Sequence, residues 1–461
     1  MKPENKKKLF GTDGIRGESG KFPLDPQTVR MIGSSLAKHL AERNKGRAPR
    51  LVLGRDTRES GPAIEADLIT GARQSGAQVL SAGVITTPGV AFLARTLPAD
   101  AGVVISASHN PYQDNGIKVF DPSGRKLDEN TERRIEADVA ANIDDAASAR
   151  ELTESDLAAR TPAELRRSYI DYLADQVAQN LSLTGLSMVI DCANGAACEI
   201  APQLFERLGA RVIAINNQPD GRNINLDCGS LHIQGLQDRV AQEHADLGVA
   251  FDGDADRALF VDSEGGFVDG DATMWALANY LKVHGELSGD TVVATVMSNI
   301  GLEIALRSRG IKLTRTDVGD KYVLEELIRS GAALGGEQSG HIIFPGLSLA
   351  GDGIITTIGL LRAMRGQNKS VGDLTDGFAR YPQVLVNVRV REKKPFDELP
   401  AIKNLAREIE DELGDRGRLL LRYSGTEALA RVMIEGESQD KIEGQANLLA
   451  GVIRAELGSD V

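Results

Sequence analysis

Short runs of valine, isoleucine and leucine recur along the chain and break each time into glycine and polar residues. LVLGRDTR from Leu51, GVVISASHN from Gly102, MVIDCANG from Met188, LGVAFDGDADR from Leu247 and VVATVMSN from Val292 follow this plan. Such runs, alternating with helical stretches, predict strands of largely parallel sheets buried on both faces. Ligands bind at the carboxyl ends of such strands, where these loops lie.

Thr161, Pro162 and Glu164 have the form of a capping box with proline at the first helical position. Leu165, Tyr169, Tyr172, Leu173 and Val177 then recur at helical spacing. The acidic, alanine-rich approach from about Asn142 to Arg160 reads as a domain boundary. The end of the chain has another pattern. From Gln383, VLVNVRV alternates with period two, and a helix is predicted from Pro400 to Leu413 with Gly414 to stop it. Two strands around RYSGTEALARVMIEG and an amphipathic helix from Ser438 to Leu457 complete an α+β module with half-exposed strands. The expected fold class is α/β: three similar α/β domains with mainly parallel mixed sheets, then a C-terminal α+β domain. The boundaries are drawn at residues 1–155, 156–257, 258–375 and 376–461.

The formal charge of −13 over 461 residues disfavours binding of nucleic acid or an anionic membrane by counterion release. Cys192, Cys198 and Cys228 form no CxxC pair, and their odd number fits reduced thiols. With no apolar stretch of membrane-spanning length and a polar, basic N-terminus, a cytoplasmic protein is expected.

The densest chemistry is Asp252-Gly253-Asp254-Ala255-Asp256-Arg257, three carboxylates at alternate positions after an apolar run. Unneutralised, they would repel one another; hard oxygen ligands on a tight loop suit Mg²⁺. A calcium-binding EF-hand is excluded, because Arg257 and Ser263 stand where that loop needs glycine and glutamate. The alternative is a solvated acidic turn. Ser106-Ala107-Ser108-His109-Asn110-Pro111 presents a hydroxyl on a second loop. Adjacent serine and histidine do not make a triad, and no GxSxG elbow is present to suggest acyl transfer. Phosphoryl transfer through a phosphoserine needs a metal, cations and anion-binding loops, and the chain has candidates for all three.

Five segments in order, FGTDGIRG from Phe10, ISASHNPYQDNGIK from Ile105, DGDADR, GGEQSGH from Gly335 and RYSGTE from Arg422, are similar to those of the α-D-phosphohexomutase superfamily. The TVMSN, VGDKYV, GEQSGHIIF and RVMIEG segments most resemble its bacterial branch acting on glucosamine phosphates. The resemblance implies four domains around a central cleft. It implies that Ser108 is the phosphorylated serine, that Asp252, Asp254 and Asp256 hold Mg²⁺ with a phosphoserine oxygen from Ser108, and that Arg16 and Arg257 support the phosphate. Lys118 corresponds to the family's candidate general base, on the argument that a lysine crowded by cations sheds its proton easily; His109 and His341 are the other acid/base candidates. Glu337 and Ser339 match residues that read sugar hydroxyls, with Gly319, Asp320 and Lys321 lining the same cleft. Arg422, Ser424, Gly425, Thr426 and Arg431 resemble a clamp for the phosphate that is not reacting, its loop organised by Glu427.

Two departures from the branch stand out. Ala255 replaces a common glycine, so the metal loop is expected to avoid positive φ, and Ala428 replaces a common proline in the clamp. The implied reaction interconverts glucosamine 6-phosphate and glucosamine 1-phosphate, with glucosamine 1,6-bisphosphate as intermediate and that compound or glucose 1,6-bisphosphate as activator. This places the chain in amino-sugar and cell-wall precursor synthesis, upstream of UDP-N-acetylglucosamine. The partner is a small phosphosugar, with neither nucleic acid nor membrane, and a homodimer is compatible with the sequence. The alternatives are a phosphomannomutase or phosphoglucomutase, and a non-catalytic sugar-phosphate sensor.

Overall fold

The computed structural model describes residues 9–11, 13–45, 47–141, 160–424 and 427–458. The boundary expected over 142–160 lies, but for Arg160, outside the described residues.

Each apolar run forms a strand. The first sheet contains β1 (Phe10–Gly11), β2 (Gly14–Glu18), β3 (Arg50–Arg55), β4 (Gln78–Val84), β5 (Ala101–Ile105) and β6 (Asp114–Phe120), in the order β1-β2-β6-β5-β3-β4. β3 pairs in parallel with β4 and β5, and the remaining pairings are antiparallel. All five residues of β5 are buried, as a central strand covered on both faces requires. The second sheet runs β11-β10-β9-β7-β8, from β7 (Ser187–Asp191), β8 (Arg211–Ile215), β9 (Leu247–Phe251), β10 (Ala258–Asp262) and β11 (Phe267–Val268). Here β7 is parallel to β8 and β9. The third runs β13-β12-β14-β15, from β12 (Thr291–Thr295), β13 (Lys312–Thr316), β14 (Leu334–Gly336) and β15 (Ile342–Ile343). The five runs read from the sequence become β3, β5, β7, β9 and β12, each with a parallel neighbour.

The helix opened by Thr161 has its capping box: Glu164 N–H donates to Thr161 Oγ1 and Thr161 N–H to Glu164 Oε2. It ends differently from the expected single α-helix. After Tyr172 the turn Leu173–Val177 is π-helical, closed by Ala178 N–H to the Leu173 carbonyl at 2.8 Å. Leu165, Tyr169, Leu173 and Val177 are spaced by four, more than the 3.6-residue period of an α-helix. A wider turn keeps Val177 on the buried face.

The C-terminal sheet is fully antiparallel, β16 (Gln383–Arg389), β18 (Leu429–Glu435) and β17 (Arg418–Tyr423) in that order. Helices Pro400–Leu413 and Gln439–Leu457 contribute Ile402, Ile409, Leu449 and Ile453 to one core with Val388, Val432 and Ile434 of the sheet. Gly414 follows the first helix at φ 53° and ends it.

By packing, the chain forms two compact units: residues up to Val296 with Thr314–Asp376, and Met297–Leu313 with Gly377–Val461. Helix Ile300–Ser308 therefore belongs with the second unit. The buried Glu435 carboxylate explains this, accepting from Asn299 Nδ2, the Ile300 amide and Arg418 Nε. Among the described residues, no helix is long and apolar enough to cross a membrane.

Candidate active site

Two loops of the first unit meet at Ser108. Ser108 follows β5 and is 1% exposed, in the left-handed region at φ 52°. Its amide donates to Ser106 Oγ at 2.9 Å, and Ser106 Oγ–H donates to Asp56 Oδ2 at 2.7 Å. The fully buried Arg58 closes the loop. Its Nε donates to Asp56 Oδ2, its Nη2 to the carbonyls of Ser108 and Asn110, and its Nη1 to that of Pro111. The metal loop follows β9, where Asp252, Asp254 and Asp256 are all buried. A Cβ on Gly253 would lie 2.6 Å from the Ser108 carbonyl oxygen, so glycine is what lets the two backbones touch. Across that contact, Ser108 Oγ–H donates to Asp252 Oδ2 at 2.6 Å.

Asp252, Asp254 and Asp256 each offer a carboxylate oxygen, and these atoms lie within 4.8 Å of one another. Asp254 Oδ1 and Asp256 Oδ1 are buried and make no hydrogen bond. Buried carboxylate oxygens need a partner, so the residues present fit a divalent cation. Burial first, then repulsion from Asp256 and Asp254, pushes the Asp252 carboxyl well above the carboxylate range. Burial acts the same way on Asp256, but Lys118 and His341 outweigh it and hold that group well below.

Ala255 corrects the sequence expectation. It does not avoid positive φ but sits at 57°, closing the loop through its amide to the Asp252 carbonyl at 3.0 Å. A non-glycine residue there costs about 1–2 kcal/mol. With Ser108 also left-handed, each loop holds one strained residue, the kind of strain that surrounding contacts must impose.

Lys118 is a second correction. It is crowded by anions, lying 3.1 Å from Asp254 Oδ2, 3.3 Å from Asp13 Oδ2 and 3.4 Å from Asp256 Oδ2. Burial works to lower its pKa, but Asp13, Asp254 and Asp256 outweigh it and raise it well above the ordinary lysine value. The crowding is therefore by carboxylates and not by cations, and it favours the ammonium form. His341 is also held as a cation: burial opposes protonation, but Asp256 at 3.7 Å overcomes it and moves the pKa up to about 9. His109 goes the other way, to about 4, through burial and then Arg257 and Arg16. Arg257 Nη1 donates to its Nδ1 at 3.1 Å, and that nitrogen is 3.4 Å from Ser108 Oγ. Arg16 is pinned to the Ala107 carbonyl at 2.6 Å and paired with Asp13.

Glu337 and Ser339 share the β14–β15 turn, Ser339 Oγ–H donating to Glu337 Oε2 at 3.3 Å and the Gly319 amide to Glu337 Oε1 at 3.2 Å. Asp320 pairs with Lys126 at 2.6 Å, and Lys321 turns to Glu129. In the second unit, Arg422 and Arg431 are direct cross-strand partners. Like charges opposite one another destabilise a sheet, which an anion between them would relieve. Ser424 Oγ accepts from the Glu427 amide at 3.3 Å, and Glu427 pairs with Arg431 at 3.3 Å, so Glu427 does organise this loop. Gly425 and Thr426 lie outside the described residues.

The sequence reading missed Asp13, Asp56, Arg58 and Lys126. Asp56 and Arg58 stand in the GRDTR loop after β3, where a strand-end signal was available, and Asp13 stands inside FGTDGIRG. Replacing Arg58 leaves Asp56 buried without its cation, so Arg58→Met is expected to cost about 3–5 kcal/mol, read from the urea unfolding midpoint.

Comparison with known proteins identifies the family. The Phosphoglucomutase/phosphomannomutase family matches in four parts: alpha/beta/alpha domain I over residues 7–145, domain II over 167–266, domain III over 269–381 and the C-terminal domain over 385–452. A phosphoglucosamine mutase of Solibacter usitatus is 51% identical, covering 98% of this chain and 99% of its own. That of Koribacter versatilis is 46% identical, with 98% of each chain covered. Among solved structures, a phosphoglucomutase/phosphomannomutase family protein from Burkholderia thailandensis matches with TM-score 0.78 at 23% identity over 97% of both chains. Aspergillus fumigatus N-acetylphosphoglucosamine mutase, in complex with GlcNAc-6P and magnesium, matches with TM-score 0.64 at 17% identity over 97% of this chain and 95% of its own. Four domain matches in order and full-length identity near one half place the chain in the phosphoglucosamine mutase family of the α-D-phosphohexomutases.

Proposed function

We propose that the chain interconverts glucosamine 6-phosphate and glucosamine 1-phosphate, with Ser108 carrying the phosphoryl group between the two ends of the sugar. The observation that carries this reading is a buried serine hydroxyl 2.6 Å from one of three clustered aspartates, two of which, Asp254 and Asp256, each keep a buried Oδ1 without a hydrogen bond. A hydroxyl so placed suits a phosphoryl carrier: its environment is built of groups that handle negative charge.

In the first half-reaction the O1 hydroxyl of glucosamine 6-phosphate attacks the phosphorus of phosphoserine 108. The phosphorus–Oγ bond breaks, a 1,6-bisphosphate forms, and the proton lost from O1 ends on Ser108 Oγ. The intermediate then turns over. In the second half-reaction Ser108 Oγ attacks the 6-phosphoryl group, the phosphorus–O6 bond breaks, the serine proton ends on O6, and glucosamine 1-phosphate leaves with Ser108 phosphorylated again. Arg16, Arg257 and the Lys118 ammonium support the moving charge, and Asp252 orients Ser108 Oγ. Mg²⁺ is the cation we assign to Asp252, Asp254 and Asp256, and it supplies charge neutralisation for phosphoryl oxygens. Glu337 and Ser339 read sugar hydroxyls, and Arg422, Ser424, Gly425, Thr426 and Arg431 hold the idle phosphate. Reduced thiols and the absence of a membrane-spanning helix among the described residues support a cytoplasmic setting.

Sugar identity rests on few contacts, so the test is a parallel assay on glucosamine, glucose and mannose 6-phosphates. The kcat/KM for glucosamine 6-phosphate is expected to exceed the other two by at least about tenfold, the scale of a lost polar contact. Equal or better turnover of glucose or mannose 6-phosphate transfers the assignment to a phosphoglucomutase or phosphomannomutase.

A further inference from the structure

Five charged side chains, alternating in sign, and His341 close a ring behind the metal loop. Asp256 faces Lys118 at 3.4 Å, Lys118 faces Asp13 at 3.3 Å, and Asp13 faces Lys126 at 2.6 Å. Lys126 faces Asp320 at 2.6 Å, and His341 completes the circuit 3.9 Å from Asp320 and 3.7 Å from Asp256. All six line one cavity of about 480 Å³. They come from distant stretches: the β1–β2 turn, β6 and the turn after it, the metal loop, the start of helix Asp320–Ser330 and the β14–β15 turn.

Lys118 is the member with most at stake, because it is buried with an ammonium that three carboxylates share. Two of those carboxylates, Asp254 and Asp256, belong to the aspartate cluster. A carboxylate engaged with a dication has less negative potential to offer a second cation, and a buried ammonium without a partner is costly. Asp13 is in no metal cluster among the described residues, so it is the partner that persists. Its own place is fixed on two sides, by Lys126 on Oδ1 and Arg16 on Oδ2.

We propose that Asp13 is a positioning residue, anchored by Lys126, that holds Lys118 and thereby frees Asp254 and Asp256 to bind the metal. This rests on the assignment of a divalent cation to the three aspartates, and it is tested by binding without any sugar or turnover. The experiment is calorimetric titration of the full-length protein with MgCl₂ in five forms: the parent, Asp13→Asn, Lys126→Met, Lys126→Arg and Asp13→Asn/Lys118→Met.

Asp13→Asn is expected to weaken Mg²⁺ binding by about tenfold, the scale of lost support around metal ligands. Adding Lys118→Met restores affinity, because the ammonium that competes for Asp254 and Asp256 is gone. Lys126→Met decides between positioning and bulk charge. Removing a positive charge tightens cation binding on field alone, whereas loss of Asp13's anchor weakens it, and weakening is the expected result. Unchanged affinity in Asp13→Asn, no recovery in the double variant, or tighter binding in Lys126→Met overturns the proposal. Absence of Mg²⁺ binding in the parent overturns the metal assignment instead. Circular dichroism of each form confirms that the fold is intact, and Lys126→Arg, which keeps the bridging charge, is expected to bind within about twofold of the parent on the same scale.

Discussion

Ser108→Ala is expected to lower mutase turnover by at least about 10²-fold, the scale of losing one essential group. The substitution removes the only atom that the proposed mechanism lets the phosphoryl group visit between the two ends of the sugar. It also removes the hydrogen bond to Asp252 Oδ2 but no backbone contact. The Ser108 amide keeps its bond to Ser106 Oγ, and the Ser108 carbonyl keeps Arg58 and Asn225. The stability change is expected to be confined to the lost Asp252 hydrogen bond, about 1–3 kcal/mol, and because the site for the sugar is untouched, KM is expected to move far less than kcat. Steady-state kinetics with a urea unfolding curve separates the two effects. A variant that turns over like the parent removes Ser108 from the mechanism.

Asp254→Asn should have a comparable effect on turnover for a different reason. Asp254 Oδ2 already accepts from Thr87 Oγ1 at 2.6 Å and faces Lys118 at 3.1 Å, while Oδ1 is buried without a hydrogen bond. An amide keeps an acceptor for Thr87 but loses the charge that a dication needs. The expected outcome is a loss of at least about 10²-fold in turnover at low Mg²⁺, partly recovered as Mg²⁺ is raised. A Mg²⁺ titration of initial rates checks this. A parent-like rate at every Mg²⁺ concentration contradicts the role assigned to the cluster.

The sequence was most readable where one strand and the loop after it carry the signal together. DGDADR after β9 and the serine loop after β5 could be placed because an apolar run ends there, and the ends of such strands gather ligands. The helix from Pro400 to Leu413 was equally plain, since proline opens it and Gly414 closes it. What escaped depends on which distant charges meet. Asp13 pairs with Lys126 across 113 residues, and the residues of the loop around Ser108 reach Arg58 across 50 to 53. No periodicity records such pairs. The same blindness turned Lys118 from a lysine among cations into one among carboxylates. Helix Ile300–Ser308 lies with the C-terminal strands because the buried Glu435 carboxylate binds its first turn, while Asn299 and Arg307 bond to the carbonyls of Tyr381 and Asp415. Ala255 escaped for a local reason: a residue type sets the cost of a left-handed backbone, while the loop around it decides whether that cost is met.

The decisive measurement is the intact mass of the protein after exposure to glucose 1,6-bisphosphate, before and after addition of glucosamine 6-phosphate. The account predicts a gain of one phosphoryl group, assigned to Ser108 by peptide fragmentation; when that group carries an oxygen-18 label from the bisphosphate, the label leaves the protein for glucosamine phosphate during turnover while Ser108 is rephosphorylated from the sugar. A phosphoryl group found on another residue, or a label that stays on Ser108 while the mutase turns over, contradicts it.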